Sequence, residues 1–140
     1  ACIAADVIVG VPGETDAHHR QALEFIESLE LSYLHVFTYS SRPGTRAAEM
    51  KDQVNTTIKQ RRSKEMHELA ERMAHTFQQQ NLKQTRKVLF EREIKNKFIY
   101  GFTDNYIRVK TPYVEGMENT ILNVYLSEID EQGTVKGETV

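Results

Sequence analysis

The chain has 140 residues, of which 39% are apolar and 27% charged, with a net charge of −2. That composition fits a globular chain of one ordinary domain or two small ones, and its modest apolar share favours two small cores. No apolar run approaches the ~20 residues that span a bilayer, the first residues lack the charged-then-apolar order of a signal peptide, and Cys2 is the only cysteine, so a membrane span, a secretory leader, a disulfide framework and a thiolate metal cage are all unexpected and a reducing cytoplasm is the expected setting.

The string Asp6-Val7-Ile8-Val9-Gly10-Val11-Pro12-Gly13-Glu14-Thr15 reads as a strand running into a Pro-Gly turn and a helix N-cap. Its β-branched run suits a strand buried on both faces. Residues 15–29 then read as an amphipathic helix with Leu23, Phe25, Ile26 and Leu29 on one side. Residues 33–39, Tyr-Leu-His-Val-Phe-Thr-Tyr, form a second strand, and strand, helix and strand within so short a span predict a parallel βαβ unit. Ser40 to Thr45 is a polar turn around Pro43-Gly44. Two strands make no stable sheet, so residues 1–50 are expected to be the last part of a larger α/β domain. The open edge of that sheet predicts self-association through it.

Residues 55–80 predict one long helix, with Asn55 as N-cap and an apolar stripe of Ile58, Met66, Leu69, Met73 and Phe77. Beyond residue 84 the period switches. Residues 86–91, 98–102, 106–110, 120–126 and 134–139 read as five short antiparallel strands, which fit a small closed barrel of the oligonucleotide-binding kind.

Charge is segregated along the chain. Residues 83–110 hold eight basic against three acidic side chains, whereas residues 111–140 hold one against six. A basic segment inside an acidic chain is what a phosphate-facing surface looks like; a solvated face balanced by the acidic tail is the other reading. Within it, Gly101-Phe102-Thr103-Asp104-Asn105-Tyr106-Ile107-Arg108-Val109 combines stacking faces, phosphate contacts at Arg108 and Lys110, and polar readout at Asp104 and Asn105. Taken singly, Phe102, Tyr106 and Ile107 read as barrel core and Asp104-Asn105 as a hairpin turn. No other catalytic set stands out. His18 and His19 are expected to be exposed, His35 structural, and His67 and His75 lack a carboxylate or thiol partner for a metal.

The string from Gly101 to Val109, following a long helix, closely resembles the TRAM domain of the tRNA methylthiotransferases, a radical S-adenosylmethionine family. Residues 5–15 are similar to that family's fifth barrel strand and its ligand turn. Residues 34–48, Leu-His-Val-Phe-Thr-Tyr-Ser-Ser-Arg-Pro-Gly-Thr-Arg-Ala-Ala, are similar to the sixth strand and the loop beyond it. Within the family, His-Val-Phe before Tyr-Ser and Thr-Asp-Asn-Tyr-Ile-Arg-Val most resemble the branch acting on threonylcarbamoyladenosine, the tRNA nucleoside next to the anticodon.

The resemblance implies an α+β composite. Residues 1–80 would be the C-terminal part of a radical SAM (β/α) partial barrel with its connecting helix, and residues 84–140 a small antiparallel TRAM barrel, OB-like. It implies a parent protein that adds a methylthio group to carbon 2 of the adenine, using S-adenosylmethionine and two 4Fe-4S clusters. The family's Cys-x3-Cys-x2-Cys motif and its further N-terminal cysteines are not in this sequence, and Lys83 stands where a turn glycine is expected. The chain is therefore expected to bind no cluster and to be inactive alone. By the same resemblance, Gly13, Glu14, Arg42, Tyr39 and Ser40 would lie at the cofactor or substrate site. Arg86, Lys87, Lys95, Lys97, Phe102, Asp104, Asn105, Tyr106, Arg108 and Lys110 would contact RNA, with the six basic residues supplying most of the affinity. Partners would be the tRNA anticodon stem-loop and the rest of the same protein, with no membrane. For Glu14 a favourable charge near a helix N-terminus is the alternative, and for Arg42 a surface arginine. The alternative functions are the sister branch acting on isopentenyladenosine or on a ribosomal protein, and a non-catalytic RNA-binding module.

Overall fold

In the computed structural model, which describes residues 1–140, the β-branched run forms β1 (Ala4–Val9) and pairs in parallel with β2 (Tyr33–Thr38), from Ala4 opposite Tyr33 to Val9 opposite Thr38. Helix α1 (Asp16–Ser28) makes the crossover. Thr15 caps it: its hydroxyl accepts the His18 N–H at 3.1 Å, and the Thr15 N–H reaches His18 Nδ1 at 3.3 Å, an N-cap exchange with histidine in the place usually held by Glu or Gln. A short helix α2 (Arg46–Glu49), capped by Thr45, follows the Pro-Gly turn. The long helix α3 (Thr56–Asn81) starts where Asn55 Oδ1 accepts the Thr57 N–H at 2.8 Å.

The chain divides into two units, residues 3–74 and residues 75–140, the latter with Ala1 and Cys2. The first has a core of Val9, Ile26, Leu34, Met66 and Leu69. Only one face of its two-stranded sheet is covered. Ile8 and Phe37, cross-strand partners, are 56% and 53% exposed, so β1 is not buried on both faces as its apolar run suggests. The apolar stripe of α1 is also narrower than expected. Ile26 is buried and Leu23 packs on the core, but Phe25 is 64% exposed. His35 lies exposed on the open sheet face.

In the second unit, β3 (Thr85–Lys95), β4 (Phe98–Thr103), β5 (Arg108–Pro112), β6 (Ile121–Ile129) and β7 (Val135–Thr139) close into a barrel in the order β3-β4-β5-β7-β6. Its core is Val88, Phe90, Ile99, Ile107, Val109, Val124, Leu126 and Val135. The sheet is mixed, because β5 and β7 run parallel, whereas an all-antiparallel set was expected. The reason is topological: an odd number of strands in a closed ring cannot alternate direction throughout. The β3–β4 hairpin turns through Asn96 and Lys97, at φ 50° and 67°, the backbone a tight primed turn needs.

Lys83 also lies in the left-handed region, at φ 61°, with its N–H donating to Leu126 O at 2.8 Å. The position therefore has the conformation of the glycine expected there, carried by a residue with a Cβ. Lys83→Gly should relieve a left-handed penalty of about 1–2 kcal/mol while loosening the unfolded chain, for a net stabilisation of roughly 0.5–1 kcal/mol. Chemical denaturation of the two forms checks this; a destabilised glycine variant would show that the lysine side chain holds the turn.

Candidate functional site

At the carboxyl ends of β1 and β2, residues 8–14 and 38–45 form a rim. Beside it lies a cavity of about 540 Å³ lined by Ile8, Phe37, Tyr39, Ser40, Arg42 and Thr45 among others, within the size range of small-molecule sites. Three of the expected cofactor residues, Tyr39, Ser40 and Arg42, thus meet in one concavity with an apolar floor. The Tyr39 hydroxyl is buried without a hydrogen-bond partner, and the Lys59 ammonium sits 5.1 Å from its ring centroid. Arg42 is exposed and its guanidinium is in no ion pair within the chain. An unsatisfied phenol and an uncommitted guanidinium at an apolar floor suit a ligand with a carboxylate and an aromatic or aliphatic body.

Gly13 and Glu14 stand apart from that cavity, on the neighbouring turn. Gly10 and Gly13 have φ 77° and 82°, and a Cβ on Gly10 would fall 2.6 Å from Lys59 Cγ, so Gly10 answers both a conformational and a spatial demand. The Gly13 N–H donates to Asp52 O at 2.9 Å. The Glu14 carboxylate is occupied from inside the protein: Oε1 accepts the Gly10 N–H at 3.0 Å and Arg62 Nη1 at 2.8 Å. It shapes the turn and is not held out toward a ligand.

Arg62 escaped the sequence reading, although a signal for it exists. It falls on the same stripe as Ile58, Met66 and Leu69, and a cation on an apolar helix face must find a buried carboxylate. His19, expected to be exposed, is 4% exposed and bonds through Nε2 to Glu65 Oε2 at 3.0 Å. No group of three or more His, Cys, Asp or Glu side chains is arranged to hold a metal ion, and Cys2 is the single cysteine.

On the barrel, most of the expected RNA-binding residues fall into three places, and Lys110 lies apart from them beside Asp130. The first is the outer face across β6, β3, β4 and β5. Ile121, Leu89, Phe102 and Arg108 are successive cross-strand partners there, and the three apolar ones are 63%, 50% and 39% exposed. Exposed Lys87 lies beside this row, opposite Asn123. Arg108 stacks 4.8 Å from the Tyr100 ring centroid and pairs with Glu93 at 2.8 Å. The second is the turn between β4 and β5. Tyr106 is 70% exposed at φ 63°, an unusual backbone for an aromatic residue. The third is the hairpin tip at the other end of the eleven-residue β3, with Lys95 and Lys97.

Core packing, the leading reading for each aromatic alone, therefore holds for Ile107, which is fully buried, and fails for Phe102 and Tyr106. Their parity on β4 and their place in the turn turn them outward. Asp104 and Asn105 are spent on structure: Asp104 pairs with Arg86 at 3.2 Å, and Asn105 is bonded to Thr103 at 2.6 Å and Asn81 at 3.0 Å. Nor are the six basic residues free as a set. Arg86, Lys95, Arg108 and Lys110 each have an acidic partner, leaving Lys87 and Lys97 unpaired. Glu93 is held below its ordinary carboxyl pKa, first by the hydrogen bond from Lys95 and also by Arg108.

No protein-family model matches the chain. It is 36% identical over 127 residues to the threonylcarbamoyladenosine tRNA methylthiotransferase MtaB of Bacillus subtilis, an alignment covering 87% of this chain and 28% of that protein. It is 32% identical over 133 residues to the protein of the same name in Thermotoga maritima, covering 95% and 30%. It is also 38% identical over 111 residues to the tRNA-2-methylthio-N(6)-dimethylallyladenosine synthase of Ehrlichia ruminantium, covering 79% and 23%. The chain spans less than a third of the length of these curated relatives.

Proposed function

Because this chain belongs to the tRNA methylthiotransferase family, we propose that it is the C-terminal part of an enzyme that methylthiolates carbon 2 of N6-threonylcarbamoyladenosine in the tRNA anticodon stem-loop. In this reading residues 1–80 contribute to a radical SAM domain and residues 84–140 are its TRAM-type tRNA-binding barrel. The carrying observation is the similarity over 87% of the chain to a relative named for that reaction. The relative named for dimethylallyladenosine, at 38% identity over a shorter span, favours the sister branch as the second reading.

S-adenosylmethionine, when bound, would supply the methyl group and the radical. The rim's part would be binding and orientation. Arg42 would clamp a carboxylate in a bidentate way, the Tyr39 hydroxyl would donate to or accept from a polar edge, and Ile8 and Phe37 would exclude water beneath it. The iron–sulfur clusters would be held by residues outside this chain. Nucleoside mass spectrometry of tRNA from a strain lacking the gene tests the reading. Loss of the methylthio group from threonylcarbamoyladenosine alone is expected; loss from dimethylallyladenosine alone would give the sister branch instead.

On the barrel, phosphate contacts fall to the cations not already neutralised. Lys87→Ala should flatten the logarithmic salt dependence of tRNA binding by roughly 0.7–0.9. Tyr106→Ala should cost roughly 1–3 kcal/mol of binding with the slope unchanged, as loss of a stacked base would. Titrations of the full-length protein over a range of salt concentrations check both, and an unchanged affinity in both variants would make the outer face at Lys87 and the turn at Tyr106 solvated surface.

A further inference from the structure

The rim turn carries two left-handed glycines, Gly10 and Gly13, in a segment that must keep one shape if it is to meet a ligand. Such a segment loses much conformational freedom on ordering, and binding is weakened unless that freedom is removed beforehand. One side chain is placed to remove it. Arg62 is 3% exposed. Its Nη1 donates to Glu14 O at 3.0 Å and to Glu14 Oε1 at 2.8 Å, and its Nη2 donates to Asp16 Oδ1 at 2.9 Å. Glu14 Oε1 in turn accepts the Gly10 N–H. A single planar fork thus ties the start of the turn, its middle and the first residue of α1 to the second turn of α3.

We propose that Arg62 is a positioning residue for the ligand turn: its guanidinium fork fixes Glu14, and through it the Gly10 amide, in the shape that the adenosyl ligand of the proposed reaction meets. The inference rests on that functional reading and reassigns Glu14 from ligand contact to turn support. The charges agree with the geometry. Burial opposes the Arg62 charge, yet its hydrogen bonds to Asp16 and Glu14 outweigh this and hold its pKa above the ordinary value. Asp16 is held below its own ordinary value, first by the hydrogen bond from Arg62. Lysine could keep the charge at this position, but its donors sit on one nitrogen at the end of a flexible stem and do not reproduce the rigid planar fork that meets Glu14 and Asp16.

The test uses full-length protein carrying Arg62→Lys, Glu14→Gln or both, with S-adenosylhomocysteine as the probe. Calorimetry should show Arg62→Lys binding the probe about tenfold more weakly, with tRNA affinity within twofold of wild type. The double variant should bind no more weakly than Arg62→Lys alone, because both residues act through one link. Hydrogen exchange without ligand should show the amides of Gly10, Val11, Gly13 and Glu14 exchanging about tenfold faster in Arg62→Lys, while those of β1 and β2 keep their protection. Wild-type probe affinity in Arg62→Lys, additive losses in the double variant, or unchanged exchange at residues 10–14 would each overturn the positioning role. A wild-type protein that bound no probe would sink the functional reading, and the exchange measurement would still decide the clamp.

Discussion

Gly101→Ala is expected to destabilise the barrel unit by about 3 kcal/mol or more, at the upper end of what overpacking costs. Gly101 sits in the middle of β4, opposite Phe90 on one side and Val109 on the other. A Cβ built there would land on the Leu89 carbonyl oxygen, 2.9 Å from both the Leu89 carbonyl carbon and Val88 Cγ1. The obstacle is mostly backbone, and in a closed barrel that backbone cannot withdraw without opening a ladder. Gly116→Ala is the control: its φ of 90° is strained for alanine, but nothing lies within 4 Å of its Cβ, so a cost of about 1 kcal/mol is expected. Denaturant unfolding of both variants checks the contrast; Gly101 is not in the left-handed region, so equal costs would mean that the neighbouring strand yields to the added Cβ and close approach does not make Gly101 necessary. The same close approach brings Leu89 and Phe102 side by side on the outer face, so losing it would also dissolve the candidate RNA surface.

Much of this architecture was legible from periodicity. The parallel pairing of β1 with β2, the Thr15 and Asn55 caps, and the stripe of Met66, Leu69 and Phe77 on α3 all follow from local rules that the chain obeys. The parallel β5–β7 pairing was also implicit, since five closed strands require it, but it becomes visible only once closure is taken as a constraint. The site was less legible. The family resemblance marked Tyr39, Ser40 and Arg42, and these three line one cavity. It also marked Glu14, Asp104 and Asn105, whose side chains have partners inside the protein, because a carboxylate or amide in a sequence says nothing about whether an internal group already claims it. Charge counts misled for the same reason. The excess of basic residues in 83–110 is real along the chain, but its acidic counterparts come partly from the same segment and partly from the far end of the sequence.

Lys110 is where that difference has its largest consequence. Sequence alone makes it a phosphate ligand; in the barrel its ammonium lies 2.5 Å from Asp130 Oδ2, with side chains only 14% and 10% exposed, and 5.2 Å from the Phe98 ring centroid. Asp130 is itself committed, its Oδ1 accepting the N–H groups of Gln132 and Thr134 at 2.9 Å in the β6–β7 turn. Removing one partner of such a pair leaves the other buried and uncompensated, so Lys110→Met should cost about 2–4 kcal/mol of barrel stability at neutral pH, slightly discounted for residual exposure. Burial raises the Asp130 pKa, but the hydrogen bond from Lys110 and those from the turn amides outweigh it, and the group ends below its usual 3.8. A depressed carboxyl pKa contributes stability above the unfolded value and loses it as pH falls through the folded one. The cost of Lys110→Met should therefore be full at pH 7 and shrink below about pH 4, where wild type also loses the pair. At temperatures where the variant stays folded, its tRNA salt slope should match that of wild type, unlike Lys87→Ala. A flattened slope in fully folded Lys110→Met, or a stability cost independent of pH, would return Lys110 to the nucleic-acid interface and leave the pairing with Asp130 incidental.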